Sequence, residues 1–463
     1  MKLKNSILDI PQDDIFKNDM LGRGDSVKNL TLLLENVSSP LVFSVNAPWG
    51  AGKTTYLKML NASLIASNSK SIYFSAWETD FAVDPLLAFL GEMNTGLSGL
   101  LKGNTKKSKA WAKAKEAGAH ILRRGVPVGV KIATAGLLDV DKIIEAEVGK
   151  LSEELSKDVI AAYSQNKKAI SEFKKNVAEV LKADEGETEK LYIFVDELDR
   201  CRPTYAIELL ERIKHLLDIE GLVFVLALDK IQLAHSVKAV YGADFDALGY
   251  LKRFIDIEFS LPEVGVASYI FHLFSNLGLE SYFSGRKKGD NAYDKDHLLK
   301  TLNVVSKGMS LRSIEQLLAK IKLITLTVPD NQLFYPVFVV YLLYVKDSYP
   351  EVYEEFSRPK STGAEILSVL EKVFSDGDDQ VVWSKQYIEA IVISGKMDGA
   401  KAWSDNKILE LTEVAQSEAV NDVRVRHSIR VLELVQYFNR YGNSVSLDNI
   451  FKRINMLSGF NFS

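Results

Sequence analysis

One cysteine, Cys201, stands in a chain of 463 residues, so no internal disulfide can form, which fits a reducing compartment. The histidines are scattered from His120 to His427, and with a single cysteine they make no zinc-spaced cluster. No charge of one sign dominates. Lys and Arg number 57 against 61 Asp and Glu, and a net charge of −4 gives no global pull toward nucleic acid. Long hydrophobic runs are also missing. A membrane span needs about 20 apolar residues. The nearest candidate, GVPVGVKIATAGLL, covers only 125–138 and contains Pro127 and Lys131. It reads as a buried or interfacial segment, and integral membrane insertion is not expected. The opening MKLKNSILDIPQDD lacks the apolar stretch of a secretory signal, so the expected location is cytoplasmic. Internal repeats and low-complexity tracts are absent as well.

What the chain does have is enough length for two or three domains and a large core. Short β-rich runs alternate with helical patterns: LVFSV (41–45), SIYFSA (71–76), LYIFV (191–195), LVFVLAL (222–228) and IDIEFSL (255–261). They predict an α/β fold with a parallel sheet and crossover helices, its strands buried on both faces. The stretch 97–190 interrupts the alternation as an insertion. Its first part, 102–124, is strongly basic. Its second part is helical, with Ile144, Val148, Leu151, Leu155 and Val159 on one face. After Pro262 apolar residues recur at helical spacing over 267–283, 310–326, 333–346, 364–374, 384–395 and 428–439, so the C-terminal part is expected to be all-helical.

The first strand runs into Ala47, Pro48, Trp49, Gly50, Ala51, Gly52, Lys53, Thr54 and Thr55, and a helical pattern follows. Strand, glycine-rich turn, Lys-Thr and helix is the context of a Walker A loop. Gly50 and Gly52 let backbone N–H groups turn inward around phosphates, and the helix offers its positive end. Lys53 is expected on the β- and γ-phosphates of ATP and the Thr54 hydroxyl on Mg²⁺. Ala47 stands where the first glycine of such a loop usually lies, and alanine fits there if its φ is negative.

The third run leads into Asp196, Glu197, Leu198, Asp199 and Arg200. A carboxylate at the end of a buried strand is the Walker B partner of Mg²⁺, which points to Asp196; Glu197 is then the general base or water-orienting group. Asp229 ends the fourth run and is either a γ-phosphate sensor or a helix N-cap. Arg200, Lys252, Arg253 and Arg312 are candidate neutralisers of phosphoryl charge, or ordinary surface cations. Trp77 and Cys201 read as packing residues.

At these residues the chain resembles the KAP family of P-loop NTPases. The segments that carry the resemblance are NAPWGAGKTT (46–55), FSAWETD (74–80), YIFVDELDRCRP (192–203), VFVLALD (223–229) and YLKRFIDIEFSLP (250–262). MLGRGDSVKNLTLLL (20–34) is similar to the family's pre-strand nucleotide box, which puts Arg23 near the adenine. SLRSIEQLLAKI (310–321) is similar to its helical lid, which makes Arg312 a sensor. The resemblance implies an ATPase domain over 1–262 with its insertion at 97–190, a lid over 263–330 and a helical domain over 331–463. Related chains often carry membrane helices between Walker A and Walker B, and bacterial members are linked to phage exclusion; this insertion lacks convincing spans.

The expected function is a Mg-dependent conformational ATPase. It acts on an unidentified protein partner through its helical C-terminal domain and works as a homo-oligomer if Arg253 or Arg200 acts in trans. Two alternatives stand beside it. One is an ATP-gated nucleic-acid binder, built on the basic run 102–124 with Trp111. The other is a peripheral membrane scaffold, built on 117–138. ATP rather than GTP follows from the absence of an [NT]-K-x-D tetrapeptide and from the family likeness.

Overall fold

The computed structural model describes residues 10–11, 13–82, 84–125, 159–183, 188–263, 265–284, 291–329, 332, 334–374, 379–396, 399–417, 422–440 and 446–460. The apolar segment from 126 to 138 and the periodic face from Ile144 to Leu155 lie outside them. The chain divides into two compact units, Leu8–Glu263 and, from Val264 on, a unit reaching Ser463.

The first unit is built on five parallel strands: β1 (Leu41–Asn46), β2 (Lys70–Ser75), β3 (Leu191–Asp196), β4 (Leu222–Leu228) and β5 (Ile257–Ser260). Their order in the sheet is β2-β3-β4-β1-β5, so β4 separates β1 from β3. The described helices that cover it include α1 (Gly24–Asn36), α2 (Lys53–Ala66), α3 (Pro85–Gly96), α4 (Thr105–Gly125), α5 (Val159–Leu181), α6 (Pro203–Leu216) and α7 (Lys230–Tyr241).

Both faces of the sheet are covered, and β3 shows why its sequence is continuously apolar. Leu191, Ile193 and Val195 join a core with Phe89, Phe173 and Ile213. Tyr192 and Phe194 point the other way, into a core with Val27, Tyr56 and Leu60. Full burial of a side chain such as Phe194 contributes about 2–3 kcal/mol. The expectation of two buried faces fails at the edges. β2 is only half-buried and β5 is largely exposed, because each has one neighbouring strand. On β5, Glu258 accepts from Lys230 and from the Asn46 amide, and a charged edge of this kind resists pairing with another sheet.

Within the insertion, α4 is basic in sequence but amphipathic in packing. Trp111 is 2% exposed, inside the core, and its indole N–H donates to Asn94 Oδ1. Lys106 pairs with Glu179 and Lys107 with Glu189. Gly118 lets α4 approach α3, since a β-carbon there would lie 2.7 Å from a Leu90 methyl.

Every described element of the second unit beyond Ala267 is helical. Helices Leu311–Thr325, Pro336–Ser348, Ala364–Val373, Asp379–Gly395 and Val423–Arg440 occupy the expected runs. The run 267–283 breaks in two at Gly278, whose φ is +64°. Helices Asn291–Val305, Pro350–Ser357, Lys401–Ala415 and Leu447–Met456 were not legible. Lys401–Ala415, for instance, buries only Ser404 and Leu411, too few positions to make a periodic stripe. Among the described residues no helix is long and apolar enough to cross a membrane.

Candidate functional site

The parallel registers align the carboxyl ends of the strands. Asn46 lies opposite Leu228, Val195 opposite Leu226, and Ser75 opposite Asp196. The loops after β1, β2, β3 and β4 therefore emerge along one edge of the sheet, where ligands of open α/β folds bind. With β4 between them, β1 and β3 stand two strand spacings apart, about 10 Å. That gap is wide enough for a group to sit between the loop after β1 and the acids after β3.

The loop after β1 has the predicted backbone. Gly50 and Gly52 take φ of +77° and +83°, values that a side chain would strain. Among the described non-glycine residues only Asn68 and Glu197 have positive φ, so Ala47 sits without left-handed strain, packed in the core. Gly52 caps α2 with no side chain, which leaves the first-turn amides of the helix open. Thr54 and Thr55 follow in that first turn, half-buried. Lys53 is 9% exposed and folds back over the loop: Nζ donates to the Ala47 carbonyl at 2.6 Å and to that of Pro48 at 3.4 Å. Its counter-ion is Asp199, with Nζ 3.6 Å from Oδ2.

Asp196 is 3% exposed at the end of β3. Its Oδ2 accepts from the Tyr73 hydroxyl at 2.7 Å and its Oδ1 from the Glu197 amide at 2.8 Å. Burial, reinforced by Asp196 itself, pushes the Tyr73 phenol far above its ordinary range, so Tyr73 stays a donor. Glu197 has left-handed backbone, φ +61° and ψ +26°. Its carboxylate accepts from Ser75 Oγ at 2.7 Å and from Arg200 Nη1 at 2.5 Å. The two adjacent acids thus have separate surroundings, one inside the sheet and the other on its rim.

Arg23 approaches the loop from α1's N-terminal side. Its guanidinium, 5% exposed, donates to the Ala51 carbonyl at 2.9 Å and to that of Pro262 at 3.4 Å. Asp229 is the N-cap of α7, accepting from the Ile231 and Gln232 amides at 3.1 and 3.2 Å. Lys252 and Arg253 are exposed on the turn that follows the short helix Ala247–Leu251. Arg312 lies in the first turn of Leu311–Thr325, in the other unit. Trp77, expected in the core from sequence, is instead 54% exposed, on the turn that follows β2. That turn is pinned by Arg202, whose Nε donates to Asp80 Oδ1 at 2.8 Å. Cys201 is buried, and burial pushes its thiol well up, so it packs rather than reacts.

Three site residues escaped the sequence reading: Asp199, Tyr73 and Ser75. Asp199 was visible only as one more acid of an acidic turn. Tyr73 and Ser75 needed the knowledge that β2 lies beside β3, which a linear sequence does not state. Among the described residues no group of three or more His, Cys, Asp or Glu makes a metal cluster.

Compared with known families, residues 25–328 match the KAP family P-loop domain. No curated protein matches the chain. Among solved structures, the Aeropyrum pernix ORC1 protein in complex with DNA aligns with 13% identity and a TM-score of 0.33, covering 96% of this chain and 94% of that one. The Aeropyrum pernix ORC2 protein, solved as ADPNP-ADP complexes, aligns with 13% identity and a TM-score of 0.32 over 90% and 94%.

Proposed function

The chain belongs to the KAP family of P-loop NTPases, and on that premise we propose that it hydrolyses ATP and uses the cycle as a conformational switch on a protein partner. The observation that carries this reading is the shared sheet edge: a loop with two positive-φ glycines and Lys53 meets the turn after β3, at whose start Asp196 and Glu197 stand.

The loop amides and the open first turn of α2 cradle the phosphates, and Lys53 offsets their charge. The donor set fits Mg²⁺. The Thr54 hydroxyl and the Asp196 carboxylate are hard oxygen donors and would hold the ion. When bound, Mg²⁺ neutralises charge on the β- and γ-phosphates. Glu197 orients a water molecule and accepts its proton as the water oxygen bonds to the γ-phosphorus. The bond from phosphorus to the β-γ bridging oxygen breaks, and ADP and phosphate leave. Asp229 supports β4's end as an N-cap. Arg253, exposed on its turn, suits a role in trans within a homo-oligomer.

The core position of Trp111 and the ion pairs of Lys106 and Lys107 remove much of the motive for the nucleic-acid alternative. The test is ATP binding and phosphate release by the wild type beside Lys53→Ala. Wild-type turnover is expected, with at least a tenfold loss of affinity in the variant, about 1.4 kcal/mol or more. A wild type that neither binds nor hydrolyses ATP overturns the proposal.

A further inference from the structure

The ammonium of Lys53 has three N–H donors, and three protein acceptors face it: the carbonyls of Ala47 and Pro48, and the Asp199 carboxylate. Two N–H groups are engaged by the carbonyls, and the Asp199 carboxylate neutralises the ammonium as an ion-pair partner just beyond hydrogen-bond distance. Asp199 is the longest of the three contacts, at 3.6 Å, and the only charged one. It is also firmly held. Its Oδ2 accepts from the Trp49 indole N–H at 2.7 Å and from the Asp229 amide at 2.8 Å. Trp49 belongs to the phosphate loop itself and Asp229 to the end of β4. One buried carboxylate therefore ties together the loop, its lysine and the neighbouring strand.

We propose that Asp199 is an internal stand-in for phosphate: it occupies Lys53 when the site holds no nucleotide, and an arriving phosphate must displace it. This rests on the ATP reading above. A phosphate oxygen and Asp199 compete for the same ammonium charge, and they also repel one another as like charges within a poorly screened site. Displacement has a second effect. Asp199 and Arg200 are consecutive residues of a single 3₁₀ turn, Leu198–Arg200, and Arg200 is one of the two groups holding Glu197. Movement of that turn on nucleotide entry loosens the grip on Glu197 at the moment a substrate is present. Asp199 is thus a positioning residue, which acts through Lys53 and the turn and not on the reacting atoms.

Asp199→Asn separates charge from shape. The amide oxygen still accepts from Trp49 and Asp229, while the competing charge is gone. ADP and ATP affinities are measured with Mg²⁺ and with EDTA, for wild type and variant. Tightening of about tenfold, in both media, is expected. Affinity that is unchanged or weaker in the variant, while the wild type binds normally, overturns the stand-in role and leaves the ATP reading intact. A wild type that binds no nucleotide removes the reading beneath it. A second measurement needs no Asp199 variant. Indole emission is followed on ADP addition in wild type and in Trp49→Phe. A nucleotide-dependent change present in the first and absent from the second supports movement of the Trp49–Asp199 contact; no difference between them counts against it.

Discussion

Replacing Glu197 by glutamine separates chemistry from structure. In the folded chain the Glu197 carboxylate accepts from Ser75 and Arg200. An amide keeps an oxygen for Ser75. The bond to Arg200 weakens, but that arginine side chain is 42% exposed, so the ion pair is solvent-screened and its loss costs only about 0.5 kcal/mol. Backbone conformation is unaffected, since glutamine and glutamate have the same left-handed preference. Stability should therefore fall by less than about 1 kcal/mol. On the proposed role, proton acceptance from water is abolished, and general-base loss lowers rates about 10²- to 10⁴-fold. That corresponds to about 2.7–5.4 kcal/mol of transition-state energy. The assay combines phosphate release, equilibrium ATP binding and a urea midpoint on the same preparation. Turnover should fall at least 100-fold while binding and midpoint stay near wild type. Turnover within a few-fold of wild type refutes the assignment of Glu197 as water activator, and parallel loss of all three measurements shows a structural role instead.

Two further outcomes follow from buried groups. Arg23→Ala removes the guanidinium that reaches the Ala51 and Pro262 carbonyls; a loss of about 1–3 kcal/mol in urea denaturation is expected, and Arg23→Lys should not restore it because an ammonium lacks the fork that spans both. His297 is buried against Trp383, and burial pulls its pKa from 6.5 down to about 4. The unfolded chain then binds the extra proton first, so stability is full above pH 6.5 and is lost as pH falls toward about 4. His297→Asn should flatten that acid branch in thermal melts taken between pH 7 and pH 4, and an unchanged slope would assign the acid sensitivity elsewhere.

The sheet was legible because buried parallel strands are written as continuous apolar runs, and all five fall within a residue or two of the expected places. The phosphate loop was legible because glycine at 50 and 52 is a backbone requirement that leaves a local mark. What stayed hidden was pairwise. The contact between Ser75 and Glu197 depends on β2 lying beside β3, across 122 positions of chain. Trp49 meeting Asp199 joins two loops 150 residues apart. Trp77 misled for a related reason: its large apolar ring predicts burial, yet it sits exposed on the turn after β2. Arg23 was linked to the site by family likeness alone, and its actual partner is the Ala51 carbonyl, a backbone atom that no sequence pattern announces.

Glu197 rests at φ +61°, a pose that glycine or asparagine adopts with less penalty, by roughly 1 kcal/mol. Selection for hardiness alone would drift toward those residues at this position. A laboratory campaign that ranks variants by melting temperature should thus recover sturdier chains with asparagine at 197 and no turnover. The wild type, by keeping an acid there, carries that backbone strain instead.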